Sequence, residues 1–264
     1  MNVKKEYTDN GYIILRDFFS DEDISSILKN VDKVFNPWMK YHKSQIFEQQ
    51  MVNMHSLTKQ EHFKHNPKER INFFNSITPL KLVNIIEKLF GDKIYFHNTQ
   101  LFFNPLNKKR LPYWHRDMQY SPITDSLQKE EQNNMINLHI RIPLVKEKSI
   151  EVIPGTHKRW DTKREKDVRL ELNGHKNYED LPNSQLIDLD IGDILIFNAQ
   201  MIHKGNYIFN DSRKALDLCV GTFHPIPFSF FDHQILPSNE EMNSIRNTQW
   251  FTNAKKYIIN KKDK

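Results

Sequence analysis

The chain contains a single cysteine, Cys219, so no disulfide can form within it, and a reducing, cytoplasmic setting is the expectation. No stretch approaches the ~20 apolar residues that a membrane-spanning helix needs. The opening Met1-Asn2-Val3-Lys4-Lys5-Glu6-Tyr7 has no apolar run behind its lysines and does not read as a secretory leader. Internal repeats, low-complexity linkers and nucleic-acid reader motifs are also missing. These absences point away from membrane and nucleic-acid partners. They say nothing about oligomeric state.

The composition suits a packed enzyme. Apolar residues make up 38% and charged residues 27%, too hydrophobic for a disordered polymer. At 264 residues the chain can bury a sizeable core as one domain, expected over 1–264. Within it, 1–93 read as mostly helical support, 94–225 as a β core and 226–264 as a C-terminal extension. The net charge of +5 has two readings. One is a background richness in lysine. The other is an anionic substrate steered by the basic cluster Lys158, Arg159, Lys163, Arg164, Lys166 and Arg169.

Ser20-Asp21-Glu22-Asp23 reads as a capping box, and Ile24, Ile27, Leu28, Val31, Val34 and Phe35 recur at helical spacing behind it. A second amphipathic run spans Pro79 to Phe90, closed by Gly91. Residues 36–76 carry many His, Lys, Gln and Met; they read as solvated helix or as cover for a pocket mouth. From residue 94 strand formers dominate: 94–96, 100–103, 135–145, 151–153, 186–189, 194–197 and 216–222. In the stretch 135–145, Asn137, His139 and Arg141 share one side, which is either a polar cavity wall or a solvent face. Gly155, Gly174, Gly192 and Gly205 stand where turns are needed. The tail offers Ile245, Trp250 and Ile258 as contacts for a packed helix. Trp114 and Trp160 read as core or as pocket walls.

The chemistry is concentrated in His115-Arg116-Asp117 and His203. No other histidine has an acidic residue two positions on. In an extended segment His115 and Asp117 point to one side while Arg116 faces away. Two imidazoles and a carboxylate can hold one face of a ferrous ion and leave the other open. Arg213, beyond His203, could clamp a carboxylate, because its planar fork donates two parallel hydrogen bonds and its charge does not titrate away. Its other reading is a surface ion pair with Asp211.

The order Tyr113-Trp114-His115-Arg116-Asp117-Met118-Gln119-Tyr120, Ile150-Glu151-Val152-Ile153-Pro154-Gly155-Thr156-His157-Lys158, Gly192-Asp193-Ile194-Leu195-Ile196-Phe197, His203 and Arg213-Lys214-Ala215 resembles the phytanoyl-CoA dioxygenase family of Fe(II)- and 2-oxoglutarate-dependent oxygenases. The resemblance covers roughly residues 7 to 225 and includes an entry strand in Tyr12–Phe19. It implies a mainly β fold with supporting α-helices, built on a double-stranded β-helix, or jelly roll. It implies Fe(II) on His115, Asp117 and His203, with 2-oxoglutarate and O2 as co-substrates and Arg213 on the far carboxylate of 2-oxoglutarate. Arg141 stands where family members put a side chain that contacts 2-oxoglutarate, and Gln119 could face the same pocket. A carboxylate ligand at 117 occupies the position that related halogenases leave open, which favours hydroxylation.

Two departures from the family pattern stand out. Many members carry a serine two positions after the second histidine, where this chain has Gly205; and Lys148-Ser149 replaces a usual Asn-Gly. The expected function is a dioxygenase hydroxylating a small polar or anionic metabolite. The alternative is a jelly roll that binds a metal or ligand without turning it over.

Overall fold

In a computed structural model, residues 3–207 and 209–262 are described. Helix α1 (Val3–Asn10) and strand β1 (Tyr12–Leu15) open the chain. Helix α2 (Asp21–Tyr41) starts at the expected capping box: Ser20 accepts from the Asp23 amide and Asp23 accepts from the Ser20 amide. Helix α3 (Lys43–Glu48), strand β2 (Asn53–His55), helix α4 (Pro67–Ile77) and helix α5 (Leu80–Phe90) follow. Residues 36–76 are therefore not only solvated helix. They contribute an edge strand, and α4 buries Phe73 and Phe74 completely.

The two strand signals at 94–103 are one strand, β3 (Tyr95–Phe103), with a bulge between Phe96 and Asn98. Helix α6 (Asp125–Glu131) precedes β4 (Asn137–Pro143) and β5 (Glu147–Val152). Helix α7 (Lys163–Arg169) is followed by β6 (Gln185–Leu189), β7 (Ile194–Asn198), β8 (His203–Gly205) and β9 (Lys214–Gly221). Helices α8 (Pro225–Phe228), α9 (Asn239–Met242) and α10 (Gln249–Lys262) complete the chain. None of the described helices is long and apolar enough to cross a membrane.

The strands form two antiparallel sheets, β1-β7-β4-β9-β3-β2 and β6-β5-β8, giving the expected jelly roll. By residue count helix (39%) exceeds strand (~20%), because helices cover one whole face of the larger sheet. The pleat explains that cover. Leu138, Ile140 and Ile142 of β4, with Leu216, Leu218 and Val220 of β9, point to one side and pack against α2, α4, α5 and α10 in the main apolar core. Ile245 and Trp250 of the tail join this core, as expected, and Ile258 packs against it. The alternate positions His139 and Arg141 of β4 and Asp217 of β9 turn inward, away from the helices, and are buried. The polar side of β4 is thus a cavity wall and not a solvent face.

Gly155, Gly174 and Gly192 have positive φ, as turns require, but Gly205 lies within β8. At Gly192 (φ +94°) an added Cβ would stand 2.8 Å from the Phe19 carbonyl oxygen, which is main chain and cannot swing away. Gly192→Ala should therefore destabilise the protein by on the order of 1–3 kcal/mol, read as a lowered urea midpoint with an unchanged slope.

Candidate metal centre

His115 and His203 are joined through their backbones. The His115 amide donates to the His203 carbonyl (2.9 Å) and the His203 amide donates back to the His115 carbonyl (3.0 Å). This reciprocal pair brings the two imidazoles to a ring separation of 4.2 Å. Each imidazole Nδ1 lies against a carbonyl, Tyr113 at 3.1 Å and Met201 at 3.0 Å. A carbonyl only accepts, so Nδ1 carries the proton and Nε2 keeps its lone pair. Both Nε2 atoms face Asp117 Oδ1, at 3.5 Å from His115 and 3.4 Å from His203. One ligand atom from each residue falls within 4.8 Å of the others.

Arg116 turns away from this cluster, as the alternation predicts, and bolts it down. Its guanidinium pairs with buried Asp161 and donates to the carbonyls of Thr156 (2.7 Å) and Gln200. The Thr156 hydroxyl accepts from the Ile202 amide at 2.9 Å. The Pro154-Gly155-Thr156 segment therefore fixes the residue before His203 and the residue between His115 and Asp117 at once.

The electrostatics suit a cation. Burial pushes the His203 imidazole down to about 3, helped by neighbouring His115, and burial lowers His115 too. Both stay neutral ligands at physiological pH. Burial alone would raise the Asp117 carboxyl, but His139, His203 and His115 around it hold it well below the usual carboxylate range. Its second oxygen accepts from His139 Nε2 at 2.7 Å. His139 Nδ1 in turn meets Asp217 Oδ2 at 3.0 Å. Asp117 is thereby held so that Oδ1 alone faces the two histidines.

Two chambers meet at Asp117, His139, Gln100 and Tyr120. The first, about 420 Å³, is walled by Phe102, Tyr207, Arg141 and Arg213. Arg213 is not a surface residue paired with Asp211; it is 4% exposed. Its Nε donates to Glu147 at 3.1 Å and its Nη2 to the Ser149 carbonyl at 3.3 Å, while Nη1 is buried without a partner. Leaving a buried charged donor unsatisfied costs about 1–3 kcal/mol or more, so this atom is matched to an incoming anionic acceptor. A dicarboxylate co-substrate fits the chamber on this ground. Arg141 also lines the chamber, but its guanidinium is already committed. It grips Asp217 through Nε (2.7 Å) and Nη2 (2.9 Å) and donates Nη1 to the Ser149 hydroxyl (3.1 Å). The structure thus gives it the task of holding Asp217 beneath His139.

Gln119 is not brought to either chamber. It is turned to Arg169 (2.7 Å) and to the Arg116 amide (3.3 Å). The basic cluster behind Pro154 does not form an anion site either. Arg159 pairs with Glu165, Lys163 with Asp167, Arg164 with Glu179, Lys166 with Asp125 and Arg169 with Asp161. Trp114 packs in a small core with Ile153, Val168, Leu181 and Ile202. Trp160 lies against the guanidinium groups of Arg116 and Arg169.

The missing serine at 205 has a structural answer that sequence reasoning did not find. A Cβ on Gly205 would stand 3.1 Å from the hydroxyl of Tyr207 and 3.0 Å from its ring. Tyr207 fills the space a serine would need and lines the chamber, with its ring 5.8 Å from the Arg213 guanidinium. His55 and Asn53, from the strand hidden in 36–76, are further wall residues that went unread.

A profile of the phytanoyl-CoA dioxygenase (PhyH) family matches residues 7–215. The chain belongs to this family. It is 25% identical over 158 residues to a "probable alpha-ketoglutarate-dependent hypophosphite dioxygenase" of Stutzerimonas stutzeri, a match covering 59% of this chain and 52% of the relative. The chain thus matches about half the length of that curated relative. Among solved structures, it superposes on HygX from Streptomyces hygroscopicus, with nickel and 2-oxoglutarate bound, at TM-score 0.59 and 11% identity, covering 83% of this chain and 86% of that one. EctD from S. alaskensis, with 2-oxoglutarate and 5-hydroxyectoine, gives TM-score 0.54 and 15% identity, covering 83% and 74%. This PhyH chain shares its jelly roll with those structures, and His115, Asp117 and His203 form a group that could hold a metal ion.

His97, which lines the second chamber, is half-buried and stacked on Phe231, and desolvation, with His139 nearby, pushes it down to about 4 from an ordinary 6.5. An unfolded chain would protonate this imidazole first, so its share of stability is complete above pH ~6.5 and is lost as pH falls towards ~4. Thermal melts of the metal-free protein between pH 7 and 4 should show His97→Gln losing less stability over that window than the parent.

Proposed function

We propose that this protein is a non-haem Fe(II)/2-oxoglutarate-dependent dioxygenase that hydroxylates a small polar or anionic metabolite, with succinate and carbon dioxide as co-products. The observation that carries this reading is the junction itself: two neutral imidazoles and one ionised carboxylate at the meeting point of two chambers, one of which ends in an unpartnered buried guanidinium nitrogen. Iron and 2-oxoglutarate, when bound, supply the activation of O2 and the oxidising power.

The chain's own residues supply position. His115, Asp117 and His203 hold the metal on one face and leave the opposite face to the co-substrates. Arg213 Nη1 binds the far carboxylate of 2-oxoglutarate, with Tyr207 beside it in place of the family's serine. Phe102 and Phe197 line that chamber and offer apolar surface to the carbon skeleton. His139, Asp217 and Arg141 fix the orientation of Asp117 from behind. The relative named for hypophosphite supports a small substrate. A cytoplasmic setting suits the single buried cysteine.

Anaerobic addition of Fe(II) and 2-oxoglutarate should give a weak visible charge-transfer band. A colourless mixture with no succinate released in air would leave a jelly roll that binds without turnover. Asp117→Ala should abolish substrate-dependent succinate formation; full turnover in that variant would remove Asp117 from the ligand set. Arg213→Gln should raise the KM for 2-oxoglutarate by about tenfold or more, the loss of one charge-assisted contact, and steady-state kinetics in 2-oxoglutarate would show it.

A further inference from the structure

The second chamber, about 290 Å³, lies on the other side of Asp117 from Arg213. Its wall differs in kind from that of the first. Among the described residues, no lysine or arginine lines it. Asp117 and His139 are its only members able to carry charge at neutral pH, and both nitrogens of His139 are engaged by carboxylates. What the wall offers instead is uncommitted carboxamide. Gln200 is 3% exposed, lines this chamber, and its Nε2 is buried with no hydrogen-bond partner. The carboxamide of Asn137 makes no hydrogen bond among the described residues. Asn98 uses its oxygen on Ser56 and its own neighbour's amide, leaving its nitrogen free.

Charge decides what such a wall can hold. With a doubly positive ion, one carboxylate ligand and a doubly negative co-substrate in place, the loaded centre has no positive charge left over for a further anion, and His139 beside it is spent on Asp117 and Asp217. Arg213 and Glu147 cancel each other behind it. An anionic substrate entering the second chamber would be stripped of water next to that centre with no lysine or arginine to receive it and with His139 already engaged by two carboxylates. An uncharged polar molecule meets no such barrier. Each carboxamide offers both donors and an acceptor, so hydroxyl, amide and carbonyl groups can all be matched. A buried orphan donor such as Gln200 Nε2 gains the most from such a partner.

We propose that this second chamber binds the primary substrate, and that the substrate is an uncharged polar molecule held through hydroxyl, amide or carbonyl groups by Gln200 and Asn137. The inference rests on the dioxygenase reading and narrows it. It sets this chain apart from a relative named for a phosphorus oxyanion.

The test uses the full chain crystallised with Mn(II) and 2-oxoglutarate and soaked in matched probes, acetamide against acetate and glycerol against hypophosphite. The uncharged member of each pair should occupy the second chamber within hydrogen-bond distance of Gln200 or Asn137, and the anion should not. Acetamide should be lost from crystals of Gln200→Leu. An anion seated there in preference, acetamide retained in Gln200→Leu, or a chamber that admits neither probe would overturn the proposal. Failure of the underlying reading looks different. In that case Mn(II) would be absent from His115, Asp117 and His203, and 2-oxoglutarate absent from Arg213, before any probe is added.

Discussion

The reciprocal backbone pairing of His115 with His203 is the contact on which the candidate centre depends. Two hydrogen bonds fix a segment that belongs to no long strand against the start of a three-residue one. Without them the imidazoles would come from two loops with no common frame. The pairing sets their separation. Carbonyls on each Nδ1 set the tautomer, and Thr156 with Arg116 sets the depth. The chemistry-bearing atoms are therefore placed by main chain and by buried hydrogen bonds, which tolerate far less displacement than exposed side chains do.

A second constraint is charge compensation across the larger sheet. Asp217 and Arg141 are both buried, and each would be strongly unfavourable alone. Together they form a bidentate pair that passes a fixed hydrogen bond through His139 to Asp117. A single face of β4 and β9 thus carries a chain of alternating charge from the first chamber to Asp117 of the candidate metal centre. The opposite face of the same strands is apolar except for Lys214, which pairs with Asp32 of α2, and it meets the helices. One pleated sheet separates a dry core from a polar reaction space.

Much of this was legible in the sequence, and the reason is periodicity. The capping box at Ser20, the helix ending at Gly91 and the polar side of Asn137, His139 and Arg141 are local patterns, written within a few residues. The two histidines and the aspartate were legible because residue type and a two-residue spacing restrict what they can do. Strand β2 was not legible, because three residues within a polar segment carry no usable alternation. Gln119 was misplaced because alternation ends at Asp117, where the chain enters a single 3-10 turn and the side-chain direction changes. Arg141 was placed on the correct wall, but its partner Asp217 lies on a different strand.

The sequence by itself determined the family, the jelly roll, the candidate ligand residues and the candidate arginine beyond His203, because each is carried by residue identity at short range. Only the tertiary structure decided which of the two inward-facing arginines keeps a free donor, that Tyr207 stands where a serine side chain would be, and that a second chamber, lined among the described residues by no lysine or arginine, opens beyond Asp117. Those outcomes depend on which strands become neighbours. Pairing between distant strands brings Arg141 to Asp217, the tertiary packing leaves Gln200 Nε2 without a hydrogen-bond partner among the described residues, and no local pattern encodes either.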